Sequence, residues 1–160
     1  MKLDRTDFEL LESLQRNARL TNKELAARIG ISPSTCLERV RRLVAKKAIR
    51  GFHADVHPTA VGIGVQALIS IRLGRHAEIS FDSLLKELTQ LKEVIHVYLL
   101  AGSQDLLVHV AVKDVAHLRA LVVDQFTTRP DVAHIETSLI FEFAKSVSLP
   151  NYRIGETERE

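Results

Sequence analysis

Thirty residues, TNKELAARIGISPSTCLERVRRLVAKKAIR at positions 21–50, constrain this chain more than any other stretch. They spell two short helices joined by a tight turn. Thr21 is a helix cap, and Glu24, three residues on, completes a capping box. Leu20 and Leu25 are spaced to close a hydrophobic staple over that cap, and Leu25, Ala26 and Ile29 form the buried stripe. Gly30 ends the helix, because glycine takes the left-handed conformation without a Cβ penalty. Ser32 caps the next helix, and Pro33 suits its first turn, where a missing N–H costs nothing.

Placed at about 100° per residue, the second helix sorts into two faces. Cys36, Leu37, Val40, Leu43 and Val44 fall on one side; Ser34, Thr35, Glu38, Arg39, Arg41 and Arg42 fall on the other. Arginine grips guanine through two parallel hydrogen bonds, and serine or threonine suits bases or phosphates. The N-terminal residues of such a helix face base edges in the major groove. Ser34, Thr35, Glu38 and Arg39 are therefore base-reading candidates, and Arg41, Arg42, Lys46 and Lys47 are phosphate-contacting candidates. A solvated face on an ordinary amphipathic helix is the bland alternative.

Charge favours double-stranded DNA as the partner. The whole chain is only +2, but residues 1–60 hold 12 Lys and Arg against 7 Asp and Glu, whereas residues 61–160 hold 10 against 13. From Arg28 to Arg50 there are seven basic residues and one acidic one. A basic end tethered to an acidic end confines a nucleic-acid footprint to the first.

A further helix precedes the pair. Asp4 is its cap, Asp7 favours the positive helix end, Leu3 and Phe8 are spaced as a staple, and Phe8, Leu11 and Leu14 supply a core stripe. After the pair, Ala48–Ala54 alternates weakly and reads as a short strand or wing, or as a plain linker, with Arg50 or His53 near the DNA backbone.

His57-Pro58, Gly62 and Gly64 break the pattern. Beyond them, residues 65–73 alternate as a strand, 81–91 read as a helix capped by Ser80, and 94–101 and 106–112 as strands about a Gly102–Asp105 turn. Residues 115–126 read as a helix and 132–143 as a closing strand. The order β-α-β-β-α-β predicts a ferredoxin-like four-stranded antiparallel sheet with two helices on one face. The fold class is therefore α+β, a three-helix (winged) helix-turn-helix domain followed by this sheet. The domains run 1–52, a hinge at 53–64, 65–145, and a mobile tail at 146–160 ending in GETERE. The open sheet face carries Leu68, Tyr98, Leu100, Leu107 and Ile140, which suits another copy packed sheet on sheet about a two-fold axis.

Glycine in a strand-connecting loop permits close approach to a ligand. In AGSQDLLV, Ser103, Gln104 and Asp105 offer donors and acceptors around Gly102, and Asp105 suits a ligand ammonium. The same residues also make an ordinary hairpin turn.

The run of Asp4–Asn17 helix, TNKELAARIGIS, STCLERVRRL and IRGFHADVHPTAVG resembles the leucine-responsive/asparagine regulator (Lrp/AsnC) family of transcription factors, and the resemblance covers roughly residues 3–145. It implies a regulator that pairs through its second domain and often builds tetramers, octamers or larger rings. It also implies an amino-acid effector held between subunits beside the glycine-to-aspartate loop. Carried over, that site holds Gly102, Gln104 and Asp105, with Thr137 on the last strand as a weaker candidate.

Other chemistries find little support. The chain has no Gly-rich phosphate loop, no His-Glu-x-x-His and no Gly-x-Ser-x-Gly, so neither an enzyme nor a bound cofactor is expected. His96 and His109 approach across the hairpin if the turn centres on Ser103, but a metal needs more ligands and no third stands at a suitable spacing. Cys36, the lone cysteine, reads as a core thiol rather than a redox sensor and rules out a disulfide within the chain. No signal peptide and no apolar run of 18 residues is present, which predicts a cytoplasmic protein away from membranes. Two rivals to an effector-controlled regulator remain. One is an effector-independent architectural DNA-binding protein. The other, with less support, is a metabolite-binding module or enzyme.

Overall fold

The computed structural model describes residues 3–74 and 81–152. The Ser80 cap and the GETERE tail lie outside them. The described chain forms two compact units, one reaching Asp55 and resuming at Ala144, the other spanning Val56–Phe143.

The first unit holds three helices: α1 (Arg5–Arg16), α2 (Asn22–Ile29) and α3 (Pro33–Ala45). Their starts follow from the caps. Asp4 accepts from the Asp7 N–H while Asp7 returns the bond to the Asp4 N–H, and Thr21 and Glu24 do the same for α2. The Thr21 hydroxyl and N–H donate to the Glu24 carboxylate and hold its pKa below the usual range. Gly30 closes α2 at φ 76°, with the Gly30 and Ile31 N–H groups donating to the Ala26 carbonyl. Ser32 accepts from the Thr35 N–H at the head of α3. The core gathers Leu10, Leu14, Leu25, Ala26, Cys36 and Leu43.

Several expectations for this unit change. Leu10, outside the expected stripe, is wholly buried, whereas Phe8 and Leu11 are half-buried. Leu37 and Val44, assigned to the apolar face of α3, are 41% and 44% exposed. Two helices cover only a narrow arc of α3, centred on Cys36 and Leu43. No strand forms over Ala48–Ala54: a turn follows α3, then irregular chain to His57. A strand needs a neighbour for its backbone groups, and an all-helical unit supplies none. The arm after Phe143 packs on this unit. The Leu149 N–H donates to Gln15 Oε1 at 2.8 Å, and Lys145 pairs with Asp55 at 3.3 Å.

The second unit is the expected β-α-β-β-α-β: β1 (Val65–Leu73), α4 (Phe81–Leu88), β2 (Val94–Leu99), β3 (Leu106–Val112), α5 (Val115–Val122) and β4 (Val132–Ile140). The sheet is antiparallel throughout, in the order β2-β3-β1-β4. Helix α5 is shorter than expected, because Val123–Thr127 continues as a π-type turn. That turn buries Phe126 completely. Alternation along the strands sends Ala67, Ile69, Ile71, Leu106, Val108 and Val110 into one core with Leu84, Leu88, Leu118, Leu121 and Phe126. Gly64 immediately precedes β1, where a Cβ would overlap the Lys113 carbonyl oxygen, so this approach requires glycine.

Within this unit, the described helices α4 and α5 both pack on that core side and leave the other sheet face uncovered. The register places Leu68, Leu107, Tyr98 and Ile140 on it as expected, and Leu100 lies just past the end of β2. A polar strip of Gln66, His109 and His96 accompanies them, which makes the face more mixed than expected.

Candidate nucleic-acid interface and effector loop

The head of α3 is built by short polar contacts. The Ser32 hydroxyl lies 2.9 Å from the Ser34 hydroxyl and 2.8 Å from that of Thr35. Asn22 at the start of α2 donates to the Pro33 carbonyl at 2.7 Å, which fixes the entry of α3 relative to α2. Ser34, Thr35, Glu38 and Arg41 are all exposed. Leu37 shares their side of the helix, three residues after Ser34 and four before Arg41.

Arg39 and Arg42 are both tied to carboxylates of the first unit. Arg39 Nη1 donates to Asp4 Oδ2 at 2.6 Å and to Asp7 Oδ1 at 2.9 Å. Arg42 Nη2 donates to both Asp7 oxygens at 2.9 Å. The Asp7 side chain is 2% exposed, those of Arg39 and Arg42 24% and 44%. Burial disfavours the Asp4 carboxylate, but bonds from Arg39 and the Asp7 N–H outweigh it and hold its pKa below the ordinary value. The structure therefore places Arg39 in an internal ion pair rather than free on the reading face. Sequence reasoning saw Asp7 only as a complement to the helix dipole; its distance of 32 residues from Arg39 hid the pairing.

At the far end of α3, Lys46 and Lys47 are exposed. Lys47 adopts φ 57°, the one non-glycine positive φ among the described residues. It stands where helices commonly carry glycine, and the Ala48 N–H donates to the Leu43 carbonyl across it. Cys36 is buried, and burial pushes its thiol pKa up, the reverse of a reactive thiolate.

In the second unit, the Leu100 N–H donates to the Asp105 carbonyl at 2.8 Å and closes the loop between β2 and β3. The Asp105 N–H donates to the Ile71 carbonyl at 2.9 Å, and Asp105 Oδ2 accepts from the Leu73 N–H at 2.7 Å. Asp105 thus ties the loop to the end of β1. Gln104 Oε1 is buried and accepts no hydrogen bond from any described residue. Gly102 has no positive φ, and a Cβ on it would meet nothing within 4 Å. The turn itself therefore does not demand glycine there.

Thr137 is not brought to this loop within one chain. It pairs with Ile69, four residues along β1 from Leu73, which is about 13 Å at the usual strand rise. It also points to the helix-covered side, the parity it shares with Ile135 and Leu139. Among the described residues no group of three or more metal-ligating side chains occurs, and no helix is long and apolar enough to cross a membrane.

A capped helix-turn-helix followed in the chain by a ferredoxin-like unit defines a class, the DNA-binding transcriptional regulators with an appended ligand-binding domain. Residues 3–50 match the winged helix-turn-helix DNA-binding family, and residues 66–149 match the Lrp/AsnC ligand binding domain. The chain belongs to the Lrp/AsnC family of transcriptional regulators and is not an enzyme. It is 42% identical over 147 residues to the HTH-type transcriptional regulator AldR of Mycobacterium tuberculosis, covering 92% of this chain and 82% of that one. It is 33% identical to the leucine-responsive regulatory protein of Escherichia coli K12, over 89% and 87% of the two chains. A transcriptional regulator of Neisseria meningitidis, solved as a complex with L-Met, superposes with a TM-score of 0.85 at 31% identity, covering 93% and 97%.

Proposed function

We propose that this chain is a sequence-specific DNA-binding regulator whose DNA affinity or assembly is set by an amino acid bound between the second units of paired copies. The observation that carries the effector reading is the buried Oε1 of Gln104, which has no donor among the described residues. A buried acceptor without a donor is costly, and a ligand N–H or a donor from a facing subunit removes that cost. Asp105 Oδ2 is committed to Leu73, which leaves Oδ1 for a ligand ammonium. Gly102 leaves room beside them, and Thr137 joins the site only from a second copy. The Neisseria relative with L-Met supports an amino acid as the effector class. The open sheet face, with Leu68, Leu107, Tyr98 and Ile140, supports pairing of copies sheet on sheet, and larger assemblies build on such pairs.

On DNA, α3 enters the major groove. Ser34, Thr35 and Glu38 face base edges, and Leu37 suits a thymine methyl. Arg41, Arg42, Lys46 and Lys47 meet phosphates. Arg39 reads a base only by leaving Asp4 and Asp7. Such a regulator works in the cytoplasm, where a bacterial chromosome lies.

The test is binding to the duplex upstream of the chain's own gene against random duplex, with and without a pool of the twenty amino acids. Preference for the first duplex that shifts with the pool supports the proposal, and splitting the pool names the ligand. A preference that ignores the pool removes the amino-acid effector. Equal, salt-sensitive binding to both duplexes replaces the proposal with an architectural role.

A further inference from the structure

On the open sheet face, His96 of β2 and His109 of β3 sit directly opposite each other across the ladder. Their rings are nearly parallel, 17° apart with centroids at 5.7 Å, and their Nδ1 atoms are 3.5 Å apart. That separation is long for a hydrogen bond between two ring nitrogens. It is close to the span of about 3.3 Å between two nitrogens on one tetrahedral zinc, given Zn–N of 2.0–2.1 Å.

The surroundings favour ligation. His109 Nε2 lies 3.0 Å from Gln66 Oε1, an atom that only accepts, so Nε2 carries the proton and Nδ1 keeps its lone pair. An outer partner that fixes the tautomer and ring plane in this way is the usual companion of a metal-ligating histidine. Tyr98 flanks His96 at 5.9 Å between ring centroids, and all four residues stand on sheet strands rather than loops.

From this geometry we infer that His96 and His109 form half of a four-nitrogen site for a divalent transition cation, closed by the same pair from a second copy. Two nitrogens are two short of a closed tetrahedral shell. The pair faces the side of the sheet on which copies are proposed to meet, so the inference rests on that pairing. Imidazole ligands select zinc, copper, nickel or cobalt over magnesium or calcium.

The experiment is titration of the metal-free full-length protein with Co2+, read by visible absorption, with sedimentation before and after. The expected result is one Co2+ per two chains with a tetrahedral spectrum. His96→Ala, at an exposed position, should weaken binding at least tenfold, and Gln66→Met should weaken it about 10- to 100-fold through loss of the orienting bond. His117→Ala, elsewhere in the unit, should leave it unchanged. Circular dichroism checks that each variant keeps its fold. Equal Co2+ binding by the native chain and the His96→Ala/His109→Ala double variant overturns the site. Binding of one Co2+ per chain overturns the shared shell. Sedimentation separates the two ideas: paired chains that take up no Co2+ refute the metal site and leave the pairing intact, whereas chains that stay single with or without Co2+ refute the pairing itself.

Discussion

Asp7 of α1 and Arg39 of α3 meet at 2.9 Å, and the Asp7 carboxylate is almost fully removed from solvent. The contact fastens the proposed reading helix to the helix that begins the chain. Arg42 bonds the same carboxylate from the next turn of α3. Either arginine alone still satisfies Asp7; losing both strands a buried charge.

The two arginines are therefore expected to be non-additive. Arg39→Ala and Arg42→Ala should each cost modest stability, and the double variant should cost more than their sum, with a coupling of about 0.5–3 kcal/mol. Urea midpoints of the four proteins measure it. Additivity within about 0.5 kcal/mol would mean that Asp7 does not depend on the pair.

Asp4 makes part of this stability pH-dependent. Its folded pKa lies below the ordinary 3.8, so its contribution is complete above that value and fades as pH falls through the depressed one. Asp4→Asn keeps a good helix cap but loses the charge that Arg39 grips. The variant should be less stable than the native chain at pH 7, and the gap should narrow towards pH 3. A gap independent of pH would place its origin in the cap instead.

Lys47 separates stability from DNA binding. Glycine accepts φ 57° without the penalty of about 1 kcal/mol that a Cβ brings. Lys47→Gly should raise the unfolding midpoint while weakening binding to every duplex alike and flattening the salt slope by about 1. Unchanged affinity would remove Lys47 from the phosphate contacts.

Asp105 has a structural task and a proposed ligand task, and two substitutions tell them apart. Asp105→Asn keeps an acceptor for the Leu73 N–H but loses the charge. Asp105→Ala loses both and should destabilise by about 1–3 kcal/mol. Both should abolish the effector response, whereas only the alanine variant should melt early. An effector response surviving in the asparagine variant would exclude Asp105 as the ammonium partner.

What the sequence disclosed depended on range. Caps at Asp4, Thr21 and Ser32, the stop at Gly30 and the strand alternation of 65–73 and 106–112 are local signals, and each became structure where expected. Asp7 with Arg39, Asp105 with Leu73, and His109 with Gln66 are pairings over 32 residues or more, which no periodicity encodes. Leu37 and Val44 misled because helical spacing shows which residues share a face, not how much of that face a small unit can cover. The glycine loop is legible as a turn, whereas the burial of the Gln104 oxygen away from any donor among the described residues is set by the tertiary fold.

The bond from Leu149 to Gln15 joins positions 134 residues apart, with the whole of Val56–Phe143 threaded between the two parts of the first unit. During synthesis the three helices leave the ribosome first and already hold their own core. The arm that packs on α1 is made only after the entire sheet. The first unit is thus started first and finished last, and a chain released early at Phe143 would carry intact helices whose final contact never arrives.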